Sequence, residues 1–265
     1  MITHLSEPLL LALELVVFAI AAALHGLTGL GLPMIGTIAL AMLYPLPKAI
    51  ALMAFPSLLL NLIVLTTNNH QSLAFEARYY AKKYGLLALT SLIGSVIGVK
   101  LLLFVPAGYV YLLMAAVTLY FVINGYLSQK GVIQALHIPT STLSMIGFGL
   151  AAGIIGGATN AMSPILMMYL FSKTDDKHEI VKASNVCYFL SKIVQLALLK
   201  EQVLAFGRLE IITLVAICTA SVIFLMVGIW LRSKVSNDKF RLAIFAILLL
   251  LAIKVGWSGV RYFIQ

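Results

Sequence analysis

Apolar residues come along this chain in long runs, each bounded by charge, proline or glycine. Leu9–Leu24 is the first. A glycine-rich break, His25-Gly-Leu-Thr-Gly-Leu-Gly-Leu-Pro33, follows it, and then a run, Met34–Tyr44, too short to span a bilayer. A helical crossing needs ~20 apolar residues. After a turn at Pro45–Lys48 come Ala49–Thr67, a polar loop with Arg78, Lys82 and Lys83, Gly85–Val105, a tight turn at Pro106–Gly108, and Val110–Leu127. A linker, Ser128–Thr140, with Lys130, His137 and Pro139, leads into a second series. Leu143–Ile155 precedes a second break, Gly156-Gly-Ala-Thr-Asn-Ala-Met-Ser-Pro164, and a second short run, Ile165–Phe171. The charged loop Ser172–Lys182, the runs Ala183–Leu199 and Ile211–Leu231, a basic loop with Arg232, Lys234, Lys239 and Arg241, and the run Leu242–Trp257 complete it.

The two series superpose at an offset of 131 residues, which sets Gly26 on Gly157, Thr28 on Thr159 and Pro33 on Pro164. Aliphatic matches mean little in so apolar a chain, but Gly, Thr and Pro in one register point to an internal duplication. The pattern predicts an all-α polytopic membrane protein of about eight to ten membrane segments. It divides into repeats 1–130 and 131–265, each opening with a broken or re-entrant helix. If each broken pair enters and leaves on one side, each repeat makes an odd number of crossings and the second is inverted. Charge supports that topology. The loops assigned to the inside hold Arg78, Lys82, Lys83, Lys130, Lys173, Lys177, Lys182, Arg232, Lys234, Lys239 and Arg241; those outside hold Lys48, Lys200 and Arg208. Eleven cations against three obey the positive-inside rule and put the N-terminus outside; Arg261, also outside, dissents.

Composition removes the alternatives to a membrane. The 265 residues are 62% hydrophobic and 10% charged, with a mean hydropathy of +1.06, against roughly 45–50% and about 25% in soluble domains. The net charge of +9 reads as loop cations beside anionic headgroups, not as a nucleic-acid surface. Met1–Glu7 has no Lys or Arg ahead of the first run and so lacks the basic region of a signal peptide. Cys187 and Cys218 lie in apolar runs without metal or CxxC spacing. No cofactor or metal is expected, and homo-oligomerisation is left open.

Inverted repeats with interrupted helices are the mark of secondary transporters, whose sites lie where the breaks meet. A helix that starts within the membrane has unpaired N–H groups and a partly positive end, which suits an anion. Pro33 and Pro164 fit the first turn of such helices. Thr28, Thr159, Asn160 and Ser163 add neutral hydrogen-bonding groups, and Gly26, Gly29, Gly31, Gly156 and Gly157 permit close backbone approach. The competing reading of these glycines is tight helix packing. Lys192 stands mid-run, where a cation costs at least ~2.5 kcal/mol unless it faces a partner or water. Its repeat mate is Asn61, and Asn185, Tyr188 and Ser184 lie one to two turns away on a similar face. Glu14, an acid within a run, and His25, at the first break, are candidates for proton coupling or for structural pairing. Read together, these residues predict a carrier of a small anion. An anion channel is a second reading. An intramembrane enzyme is the weakest, because no nucleophile–base or metal constellation is present.

The first break with Pro33 and the stretch Phe55-Pro-Ser-Leu-Leu-Leu-Asn61, and then Gly153-Ile-Ile-Gly-Gly157, Pro164 and Lys182-Ala-Ser-Asn185, resemble the TauE/SafE (sulfite exporter) family across nearly the whole chain. The resemblance implies a bacterial inner-membrane transporter of small sulfur-containing anions such as sulfite or organosulfonates. Breaks in that family often have more consecutive glycines than the second one here, which leaves the substrate open.

Overall fold

In a computed structural model, residues 7–29, 32–41, 43–67, 72–132, 138–139 and 141–264 are described. They form helices and no strand. The first half contains α1 (Glu7–Thr28), α2 (Leu32–Leu40), α3 (Leu46–Thr66), α4 (Leu73–Phe104) and α5 (Ala107–Gln129). The second contains α6 (Thr142–Thr159), α7 (Ser163–Lys173), α8 (Lys177–Leu198), a short α9 (Lys200–Leu204), α10 (Arg208–Lys234) and α11 (Asn237–Ile264). Six of these are long and apolar enough to cross a membrane: α3, α4, α5, α6, α10 and α11. The protein is a multi-pass membrane protein. Helix α8 is as long but carries Lys177, Glu179, Lys182 and Lys192, and it is buried among its neighbours instead of facing lipid.

The sequence sets the boundaries through familiar devices. Ser72 and Ser141 cap α4 and α6 by accepting the N–H of Phe75 and Ser144. Prolines occupy the first turns of α3 and α7, where no N–H is missed. Pro33 is the second residue of α2, as the break motif implied. Both short helices fold back along their predecessors. Phe18 of α1 and Leu40 and Tyr44 beyond the break line one hollow, and Phe148 of α6 meets Tyr169 of α7 at 5.8 Å.

Helices pair closely where glycine replaces bulk. Helix α4 packs chiefly on α6, α1 on α10, α5 on α11 and α3 on α8. Exchanging each helix for its counterpart at the 131-residue offset returns the same set of pairs. At the α4–α6 crossing a Cβ on Gly98 would stand 2.1 Å from the Ile154 carbonyl oxygen, and one on Gly153 2.1 Å from that of Ser91. At the α1–α10 crossing, a Cβ on Gly228 would stand 2.0 Å from the Ala23 oxygen and one on Gly26 2.3 Å from the Leu225 oxygen. Small residues let backbones approach in this way where lipid gives no hydrophobic drive to associate. Thr90, Ser91 and Ser95, on α4 beside the α4–α6 crossing, return their hydroxyls to carbonyls of their own helix, so these three hydroxyls are not stranded.

Loops sort to two ends. At one, Lys83 pairs with Glu179, Lys182 with Glu76 and Arg241 with Asp175, and Lys177 donates to the Val235 carbonyl. These contacts join three of the four regions read as inside; the fourth follows through Gln129, which reaches the Asp238 carbonyl. At the other end Lys48 bonds Glu210 at 2.6 Å and Gly108 packs on Tyr262, beside Arg261. Several cations read as loop residues lie on helix ends instead: Arg78, Lys82 and Lys83 in α4, Lys234 in α10, and Lys239 and Arg241 in α11. One departs furthest. Arg232, assigned to a basic loop, lies inside α10 and is 1% exposed, the largest fully buried side chain among the described residues.

Candidate functional site

The second break is closed by one residue. Asn160 adopts a left-handed conformation (φ 66°) as the C-cap of α6, its N–H bonding the Gly156 carbonyl at 2.8 Å. Asparagine tolerates that region better than other side-chained residues. The chain then reverses within a few residues, and α7 begins at Ser163-Pro164. Thr159 assists: its hydroxyl donates to Ile155 and accepts the Ala161 N–H at 3.1 Å.

The Asn160 side chain is the hub of a buried network. Its Nδ2 donates to Thr37 Oγ1 of α2 at 2.6 Å. Its Oδ1 accepts from Lys192 Nζ and from Gln195 Nε2, the latter at 2.7 Å. Lys192 also donates to Gln195 Oε1 at 2.7 Å, and Gln195 Nε2 reaches the carbonyls of Gly156 and Gly157 at 3.1 and 3.3 Å. Those carbonyls belong to the last turn of α6; that of Gly156 also accepts the Asn160 N–H, and the Gln195 amide adds a side-chain donor there. Nearby, Tyr188 donates to Ser163 Oγ at 2.9 Å, and the Ser95 and Ser191 hydroxyls meet at 2.9 Å. Lys192 is 3% exposed and makes no ion pair among the described residues.

Pro33, Gly156, Asn160, Met162, Ser163, Tyr188, Ser191 and Lys192 line a hollow of about 10 Å³, room for about one water. The first turns of α2 and α7 both open on it, so two partly positive helix ends and one ammonium share a space bordered by neutral hydrogen-bonding groups. The arrangement of charge and hydrogen-bonding groups suits a small anion.

The remaining candidates separate by role. Gly157 packs on Ser95 of α4, Gly26 on α10 and Gly156 on Met162, while Gly29 (φ 75°) lies against Val181 of α8; in each case the glycine admits a protein neighbour. Thr28 turns its hydroxyl back to Leu24 at 2.7 Å. His25, Asn61 and Asn185 are wholly buried and form a second cluster. The two amides lie within reach of the imidazole, without closing a hydrogen bond to it. Gly31 lies outside the described residues, as does the side chain of Glu14. Sequence reasoning missed Gln195 and Thr37. Gln195 stands one turn after Lys192, a spacing that could have revealed it.

Asn160→Gly is expected to keep the left-handed turn and the fold but to free Lys192 and Gln195 from their shared acceptor. Anion affinity should fall about tenfold, near 1.4 kcal/mol, with a smaller loss of melting temperature than Asn160→Val, which the left-handed backbone disfavours.

A family model described as "Sulfite exporter TauE/SafE" matches residues 14–255. The chain belongs to the TauE/SafE sulfite exporter family. The match takes in both breaks, all of α3 and α8, and so every residue of the Lys192 network. TauE/SafE proteins are transporters rather than enzymes, and membership supports membrane transport of a sulfur anion. No curated protein and no solved structure matches the chain.

Proposed function

We propose that this TauE/SafE chain is a secondary transporter that carries a small sulfur oxyanion or organosulfonate across the bacterial inner membrane by alternating access. Substrate binds at the second break, held by Lys192, Ser163 and the first turns of α2 and α7. The observation that carries this reading is a buried ammonium facing two helix starts with no carboxylate paired to it among the described residues. Such a site carries one uncompensated positive charge, and a small anion supplies the balance.

The pairing of α1 with α10 and α4 with α6, and the folding back of α2 and α7, support two inverted repeats, 1–130 and 131–265. The cation-rich end then faces the cytoplasm and the N-terminus the outside. The two hairpins, α1–α2 and α6–α7, rock against the rest to expose the site to either side. A hollow of about 10 Å³ favours a carrier over a channel, since a pore needs a continuous path.

Counterflow in proteoliposomes tests this reading. Vesicles loaded with unlabelled sulfite should accumulate external ³⁵S-sulfite transiently, which a channel cannot do. Saturable accumulation in sulfite-loaded vesicles and none in chloride-loaded ones is expected; equal, unsaturable uptake in both would contradict a carrier.

A further inference from the structure

Among the described residues no ion pair accounts for the burial of Arg232. A cation one turn from a helix end ordinarily snorkels to the headgroups, as its neighbour Lys234 does while lying over Trp230 at 3.7 Å. Arg232 is instead 1% exposed, and its Nε and Nη1 have no partner. No carboxylate pairs with it among the described residues. Buried guanidinium donors normally find acceptors, because leaving them unmade is expensive.

The second polar cluster shares the same deficit. Both ring nitrogens of His25 and both amide atoms of Asn61 lack partners, as does Oδ1 of Asn185, whose Nδ2 is taken by Val181 at 2.8 Å. The cluster draws on three helices, α1, α3 and α8. Arg232 stands one turn beyond Ile229, whose backbone packs on Gly26 next to His25. The two cations lie at different depths. Arg232 is in the last turn of α10, at the end where the basic loops gather. Lys192 is about 22 Å along α8 from that same end, at 1.5 Å per residue. His25 and Asn61 therefore lie between a cation at the centre and a cation near the mouth, and at the mouth the guanidinium donors are unmet.

We propose that Arg232, His25 and Asn61 form a second site for a small oxyanion, a station between the Lys192 site and the cation-rich end of the bundle. The guanidinium offers planar, paired N–H groups that fit two oxygens of one anion. His25 and Asn61 supply neutral donors on the inner side. The inference rests on the anion-transport reading, but it engages different residues and can fail alone.

Sulfite binding to the detergent-purified full-length chain, followed by titration calorimetry, tests it. Wild type should bind two equivalents. Arg232→Gln should bind one, with a melting temperature, measured without anion, equal to or above that of wild type. A purely structural arginine would instead lower that temperature and leave the stoichiometry alone. Lys192→Met should lose the other equivalent and keep the Arg232 site. Should Arg232→Gln fail to purify, Arg232→Lys decides: at least a tenfold weaker second equivalent supports the site, and unchanged affinity overturns it. Two equivalents of wild-type strength in Arg232→Gln, or one wild-type equivalent that only Lys192→Met removes, overturns the second site and leaves the Lys192 reading intact. No sulfite bound by wild type overturns both.

Discussion

Lys192→Met is expected to give a folded, membrane-inserted protein that no longer binds its anion at the second break and no longer transports it. The substitution keeps length and apolar bulk and deletes the charge. Asn160 Oδ1 retains Gln195 Nε2 as a donor, so one hydrogen bond at the hub survives. Gln195 Oε1 loses its bond to Lys192, which costs about 1–3 kcal/mol. Relief from holding a cation at bilayer depth, about 2.5–3.5 kcal/mol, offsets that loss. The melting temperature without anion should thus shift by a few degrees at most. Binding has no such compensation. Truncating one member of a buried, hydrogen-bonded charge pair costs about 2–5 kcal/mol, which is a loss of affinity from roughly 30-fold to several thousand-fold. Transport in proteoliposomes at subsaturating anion should fall by at least the lower figure. Transport within threefold of wild type would remove Lys192 from the site.

The second large effect is on the fold. Gly228→Leu should abolish the native protein or nearly so, because its Cβ would stand 2.0 Å from the Ala23 carbonyl oxygen and 2.8 Å from the Leu27 nitrogen. Both are backbone atoms in a packed helix and cannot swing aside. Overpacking of this kind costs typically 1–3 kcal/mol and occasionally more, a large share of a stability of about 5–15 kcal/mol. Gly147→Ala in α6 provides the contrast, since nothing lies within 4 Å of its added Cβ. It should raise stability by about 0.5–1 kcal/mol through helix propensity alone. Melting temperature and the monodisperse fraction on size exclusion read both. Comparable behaviour of the two variants would contradict the role assigned to the α1–α10 crossing.

The helix order, the two breaks and the first-turn prolines were legible in the sequence because each rests on strong local chemistry. Apolar runs of fixed length, and Pro33 and Pro164 at helix starts, leave few alternatives. Lys192 was legible for the same reason, a charge in the middle of a run. The glycines were not. A glycine that admits a ligand and one that admits another helix look alike in sequence, and Gly26 and Gly157 prove to face α10 and α4. Asn160 was named as one hydrogen-bonding group among several; its role as hub depends on a left-handed turn and on partners 32 and 123 residues away. Arg232 was misplaced because a cation just past Leu231 ends an apolar run whether it points outward or inward. Burial decides between the two, and burial is a property of the assembled bundle.

Thermal stabilisation of the purified protein against a panel of small anions bears most directly on the Lys192 site. Specific ligands raise the melting temperature by mass action, about 2.7 kcal/mol at a hundredfold excess over Kd. Sulfite or an organosulfonate should stabilise wild type by several degrees, chloride should not, and Lys192→Met should lose most of the response. The same shift in wild type and in Lys192→Met, or no shift with any anion, would contradict an anion site at the second break.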